Sequence, residues 1–171
     1  MEPKPDNPPA APRLGRYAID TASSTVTFGT RHVFGLLPVN GTFEIRSGTV
    51  DVAEPLGASV IRVEIAASSF RTGNPMRDDA VRSARFLDAD RHPLITFAAD
   101  GVDGACVTGT LTAHGVAQPV RLSVEQQSAT PRGFTARATA RIDRTLFGVT
   151  ASRGMAGRHL DVSIEVECVR G

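Results

Sequence analysis

A chain of 171 residues with 19 Lys and Arg against 18 Asp and Glu, a formal net charge of +1, suits one domain that buries a good core or encloses a cavity. The near-neutral balance, the lack of any long block of like charge, no Trp and a single tyrosine, Tyr17, argue against a nucleic-acid footprint, which needs clustered cations and stacking rings. No run of about 18 apolar residues occurs, so no spanning helix is expected.

The opening "MEPKPDNPPAAPRLGRY" carries five prolines in its first twelve residues and no apolar segment of the kind a signal peptide uses. It predicts a disordered tail over Met1–Leu14 ahead of one folded domain, residues 15–171, and a cytoplasmic protein. Beyond it, period-two alternation recurs. In "STVTFGTRHV", Val26, Phe28, Thr30 and His32 share a face. In "SVIRVEIA", Ile61, Val63 and Ile65 oppose Arg62 and Glu64.

The stretch "RTGNPMRDDAVRSARFLD" breaks the pattern and predicts a short helix near residues 75–84. Asn74 caps free N–H groups and Pro75 suits the first helical position. Met76, Ala80 and Ala84, with Val81 beside them, predict a narrow apolar stripe laid on a sheet or across a barrel mouth. Asp78 and Asp79 near the start and Arg82 and Arg85 near the end complement the helix dipole, and Asp78–Arg82 is a favourable i,i+4 pair. Adjacent aspartates on a helix do not face each other, so the element reads as scaffolding rather than catalytic.

Alternation then resumes. "PLITFAA" pairs Ile95 with Phe97, and "PVRLSVEQ" sets Val120, Leu122 and Val124 against Arg121, Ser123 and Glu125. The last segment sets Leu160, Val162, Ile164, Val166 and Cys168 against Asp161, Ser163, Glu165 and Glu167. One dry face and one wet face indicate antiparallel sheet. Turn signals such as "PVNG", "VDGA", "HGVAQP" and "TPRG" divide the chain into roughly eight strands, which fits an all-β up-and-down barrel or a sandwich. "FTARATARID" places Ala136, Ala138, Ala140 and Ile142 on one face. That thin wall permits a cavity, and it equally permits a solid core filled by Phe28, Phe43 or Phe97.

Cys106 and Cys168 form no C-x-x-C pair, and packed free thiols are expected. The histidines, His32, His92, His114 and His159, show no metal-ligand spacing among themselves, so no metal and no cofactor are expected. Asp143, His32 and His114 are too scattered to nominate an acid–base set, so no catalytic residue is assigned.

The combination of "RD…RS..F.D…P.ITF", "G.LT.HG…PV.L" and "DRT.FG" resembles the YceI-like family, lipocalin-like proteins that bind polyisoprenoid and related lipids. The matching stretches run in order from "YAIDTASSTVTFGTRH" through "GTLTAHGVAQPVRL" and "ARIDRTLFGVT" to the final strand, roughly Gly15 to Val169. The resemblance implies a single lipocalin-like antiparallel barrel of about eight strands, with a long apolar tunnel for an isoprenoid chain and no catalysis. It makes ligand contacts of the inward candidates Val26, Phe28, Phe43, Ile61, Val63, Ile65, Ile95, Phe97, Leu122, Ala138, Ala140, Ile142, Val162 and Ile164. Arg77, Asp78, His114 and Arg144 become candidates for the polar head, with a structural carboxylate pair as the competing role of Arg144. Members commonly read "RD.HL" in the helix; here Ala80 stands at the histidine position, and Leu87 follows Phe86 where a second phenylalanine is frequent. A solid-core interaction or stress-response barrel, or an enzyme acting on a small apolar substrate, are the competing functions. A homodimer is compatible with the pattern.

Overall fold

The computed structural model describes residues 12–30, 39–103, 105–150 and 158–171. Expectations that fall on residues 1–11 of the tail and on His32 lie outside the described residues. Ten strand segments are present there: β1 (Gly15–Ile19), β2 (Thr25–Thr30), β3 (Val39–Phe43), β4 (Ile45–Val52), β5 (Val60–Ala66), β6 (Leu94–Asp103), β7 (Cys106–Ala113), β8 (Val116–Thr130), β9 (Gly133–Asp143) and β10 (His159–Arg170). One helix, α1 (Pro75–Arg82), lies in the long connection from β5 to β6.

All pairings are antiparallel, and the ladder closes on itself. β1 pairs with both β4 and β10, and β5 to β10 follow one another as neighbours. β2 continues the line of β1 along the edge of β10, and β3 continues that of β4. The ten segments are therefore eight long strands, two of them broken once, in an up-and-down barrel. Closure removes the exposed edges that an open sheet would present.

Buried serines mend the places where strands break or end. Glu167 of β10 sits where its edge passes from β1 to β2. Its N–H donates to Ser24 Oγ at 3.0 Å, and its carbonyl accepts from Asp20 N–H at 2.8 Å. Ser59 Oγ accepts from Ala53 N–H at 2.9 Å, just past β4, and Ser69 Oγ accepts from Glu44 N–H at 2.8 Å between β3 and β4. All three serines are buried. A partly buried N–H that loses its ladder partner is best satisfied by such an acceptor.

Apolar burial concentrates where β1, β4, β9 and β10 meet. There Tyr17, Ile19, Val50, Val52, Phe134 and Cys168 pack together, with Tyr17 edge-on to Phe134 at 4.9 Å. Tyr17 Oη donates to the Arg13 carbonyl and Arg170 to the Leu14 carbonyl, so the residues just before β1 are tied to the barrel wall. Cys106 and Cys168 are both free, and burial pushes the Cys168 thiol up to about 12.

The cap of α1 is as expected: Asn74 Oδ1 accepts from Arg77 N–H at 3.1 Å, with Pro75 at the first helical position. The packed face is not. Met76 is 85% exposed, and Ala80 and Ala84 are exposed too, whereas Arg77, Asp78, Val81 and Arg82 turn toward the protein. The helix is held by polar bonds rather than by an apolar stripe. Asp78 accepts from Thr72 N–H (3.0 Å) and the Thr72 hydroxyl, while Arg82 donates to the Phe70 carbonyl and meets Asp79 at 3.4 Å. Burial alone would raise the Asp78 pKa, but the Thr72 bonds, with Arg82 and Arg77 nearby, outweigh it and hold the carboxyl below its usual value.

Two predictions follow from these contacts. Ser24→Ala strands the Glu167 N–H and lowers stability by about 1–3 kcal/mol in chemical denaturation, with a smaller loss for Ser24→Thr, which keeps the acceptor. Asp78→Asn costs about 1–3 kcal/mol at neutral pH. Because folding depresses the Asp78 pKa, the carboxylate's contribution is present above the ordinary value of 3.8 and is lost as pH falls through the lower folded value. The gap between parent and variant therefore narrows in denaturation series run from pH 7 to about pH 3. A gap that stays constant refutes the anchoring role.

Candidate functional site: an apolar cavity and a polar rim

The barrel is not filled. Leu122, Val124, Ala138, Ala140, Val162 and Ile164 all point inward, yet each is only half-buried. Inward residues of a solid core would have no accessible surface, so open space lies beside them. That space is a cavity of about 530 Å³ lined by residues from every strand, within the range of pockets that hold small amphiphiles.

Register explains which residues reach it. Val124 pairs with Ala138, and Ile164 and Val162 pair with Ala138 and Ala140, so β8, β9 and β10 present one continuous apolar face. The alanines leave their part of the wall thin. The large rings that could have filled it pack on one another instead: Phe28 stacks on Phe70 at 5.1 Å, and Phe43 lies 5.5 Å from both. All fourteen apolar residues expected to face inward line the cavity, as do Arg77 and Arg144. Their contact with a ligand is a separate matter.

Two of the expected polar contacts stand elsewhere. Asp78 is turned into its bonds with Thr72, away from the cavity wall. His114 is not on the wall either; its Nδ1 lies 3.1 Å from the Phe147 carbonyl oxygen. Arg77 Nε donates to Thr72 Oγ1 at 2.8 Å. Arg144 is buried, donates to the Val149 carbonyl at 2.8 Å, and lies over the Phe86 ring at 5.9 Å. The two arginines thus place positive charge on the wall at the end of the barrel that carries α1. Asp143 caps the 3-10 turn Arg144–Phe147 by accepting from Thr145 N–H, and Arg158 Nε donates to it at 2.7 Å. Burial would raise its pKa, yet the bonds from Thr145 and Arg158 hold it below the ordinary range.

Sequence periodicity missed Gln127. A bulge between Val124 and Gln126 shifts the parity of β8, so Gln127 pairs with Ala136 and joins the wall, while Glu125 faces out beside Arg137 and Thr139. A second omission is a group beside the cavity: Asp88, His92 and His114 each bring one ligand atom within 4.8 Å of the others. The Asp88–His92 spacing of four was the available signal. His114 arrives from the β7–β8 turn, which no local pattern connects to them.

Residues 17–168 match the YceI-like domain. The chain belongs to the YceI-like family. A UPF0312 protein of Pectobacterium atrosepticum is 32% identical over 158 residues, covering 85% of this chain and 80% of that protein. Among solved structures, the YceI-like barrel resembles Burkholderia cenocepacia BcnA (TM-score 0.73, 23% identity, 86% of this chain and 98% of the other). It also resembles a polyisoprenoid-binding domain from Saccharophagus degradans (TM-score 0.72, 15% identity, 93% and 100%). At these identities the two likenesses establish the fold. Among the described residues of this YceI-like chain no helix is long and apolar enough to cross a membrane.

Cavity and wall make one prediction. Ala138→Phe or Ala140→Phe enters open space, so it lowers stability by less than the about 1–3 kcal/mol that overpacking a filled core costs. The same variants take up less of an apolar fluorescent probe such as N-phenyl-1-naphthylamine. A large loss of stability with unchanged probe uptake refutes an open interior.

Proposed function

We propose that the YceI-like barrel is a non-catalytic binding protein that holds one long apolar chain, an isoprenoid or a related lipid, in its interior. The observation that carries this reading is the roughly 530 Å³ cavity, whose wall is hydrocarbon save for a few polar residues: Thr30, Ser59, Arg77, Gln127 and Arg144. Such a wall recognises area and shape. Each methylene it removes from water is worth about 0.8 kcal/mol, so a chain of several isoprene units binds without many polar anchors. The polyisoprenoid-binding domain of Saccharophagus degradans has the same fold, which supports the same class of ligand here.

The orientation follows from charge. Arg77 and Arg144 stand at the α1 end, so a head bearing acceptor oxygens lies there and the tail runs toward Val52, Leu56 and Gln127. Family membership and the wall's chemistry both favour carriage, storage or sensing over turnover.

Native mass spectrometry of the purified protein, followed by solvent extraction and lipid analysis, tests this reading. The expected result is a co-purified isoprenoid or fatty chain, or one equivalent of added geranylgeraniol taken up by the delipidated protein. Arg77→Gln weakens binding of an isoprenoid phosphate more than of the matching alcohol. A barrel that emerges empty and rejects both overturns the proposal.

A further inference from the structure

The long β5–β6 connection and the β7–β8 hairpin meet just behind the cavity wall at the α1 end. Asp88 and His92 come from the connection and His114 from the turn of the hairpin. We propose that Asp88, His92 and His114 bind one divalent transition-metal ion of the zinc class, with at least one coordination position left open. The proposal stands independently of the lipid reading.

Four observations carry it. The donor set is two imidazoles and a carboxylate, the three-ligand complement with which zinc keeps a fourth position for water or a ligand. Imidazole donors disfavour magnesium and calcium, which take oxygen. Local backbone places Asp88 and His92 together: the His92 N–H donates to the Asp88 carbonyl at 2.8 Å, one turn along the chain.

The second observation is orientation. His114 Nδ1 lies against the Phe147 carbonyl oxygen at 3.1 Å, so it carries the proton and Nε2 presents its lone pair. A backbone carbonyl on the far nitrogen is the usual partner of a metal-bound imidazole. His114 can adopt this position because it shares a hairpin turn with Gly115, and both have positive φ, 53° and 71°, the backbone of a type I′ turn.

The third observation is reserved space. A Cβ at Gly115 would lie 2.8 Å from His92 Cε1 and 3.2 Å from its Nδ1, so the His92 ring occupies room that only glycine leaves.

The fourth is reach. Two ligands on a tetrahedral zinc with bonds near 2.1 Å stand about 3.4 Å apart. The three atoms lie within 4.8 Å of one another, so closing the site asks for a contraction of no more than about 1.4 Å. Side-chain rotation supplies that. Asp88 is loosely engaged, 3.9 Å from the Nε of Arg91, whose side chain is 83% exposed and can swing aside. The bland alternative is a structural pair of histidine rings, edge to face at 5.2 Å.

Bound there, the ion would tie the α1-bearing connection to the β7–β8 hairpin. Leu87 next to Asp88, Ala113 next to His114, and Phe147 all line the cavity, so the ion would fix that end of the wall.

The test uses untagged full-length protein stripped with a chelator, then titrated with Zn²⁺ by calorimetry and with Co²⁺ by absorption. Support is one Zn²⁺ per chain, a Co²⁺ spectrum without the thiolate charge-transfer band that Cys106 would give, and at least a 10-fold weaker affinity for both His92→Ala and His114→Gln, with His159→Gln unchanged. No uptake by the parent, or unchanged affinity in either of the first two variants, overturns the proposal. Should a variant fail to fold, histidine-ring NMR of the unmutated protein decides. Zn²⁺ must shift the His92 and His114 resonances and spare His159, and shifts confined to other histidines overturn the site.

Discussion

The edge of β10 is the constraint on which the rest of the molecule depends. A sheet that must close needs its last strand to pair with its first, yet here the first strand is in two pieces. β10 meets β1 through Cys168–Arg170 and β2 through Leu160–Glu165. At the joint, Ser24 and Asp20 supply the acceptor and the donor that Glu167 would otherwise lack. That join holds the seam on the β1–β2 side of β10, while β9 holds the other side along His159–Val169.

Closure and emptiness pull in opposite directions energetically. A barrel gains most when its inward side chains pack to native density, and small residues on β9 forgo part of that gain. The YceI-like barrel compensates regionally. Tyr17, Phe134, Cys168 and their neighbours form a dense core around β1, and Phe28, Phe43 and Phe70 form an aromatic cluster where the β3–β4 line meets the connection to α1. Further buried clusters lie at Ala67, Ala89 and Ile95 and at Phe97, Ala99 and Val107, so packing is held in separate zones while the Ala136–Ala140 stretch stays lean. Polar anchoring of α1 fits this division, since a helix fixed by Asp78 and Arg82 needs no apolar groove that would compete for the cavity's lining.

Much of this was legible in the sequence, because the side-chain period of a strand is a local property. The alternation in β5, β9 and β10 named the inward faces, and Asn74–Pro75 named the start of α1. What the sequence hid had physical causes. The bulge in β8 reverses parity at one residue, so Gln127 reads as outward on a strict period of two. The Met76–Ala80–Ala84 stripe misled because Ala84 lies past the end of α1 and the helix turns its bonded Asp78 inward instead. The choice between cavity and solid core depended on where Phe28 and Phe43 turn, which is a tertiary fact. His92 and His114 are brought together by two separate connections, and no local period records that.

A closed wall, paired along most of its strand edges, also governs time. For the guest proposed above, the paired strand edges would close most sideways routes, and its departure would run mainly through the ends. Residence time would then be set by how often a connection opens locally, and not by how strongly the wall grips. One end carries a helix of only eight residues, held by a few polar bonds. Two guests of very different affinity would therefore leave at similar rates whenever that opening is the slow step.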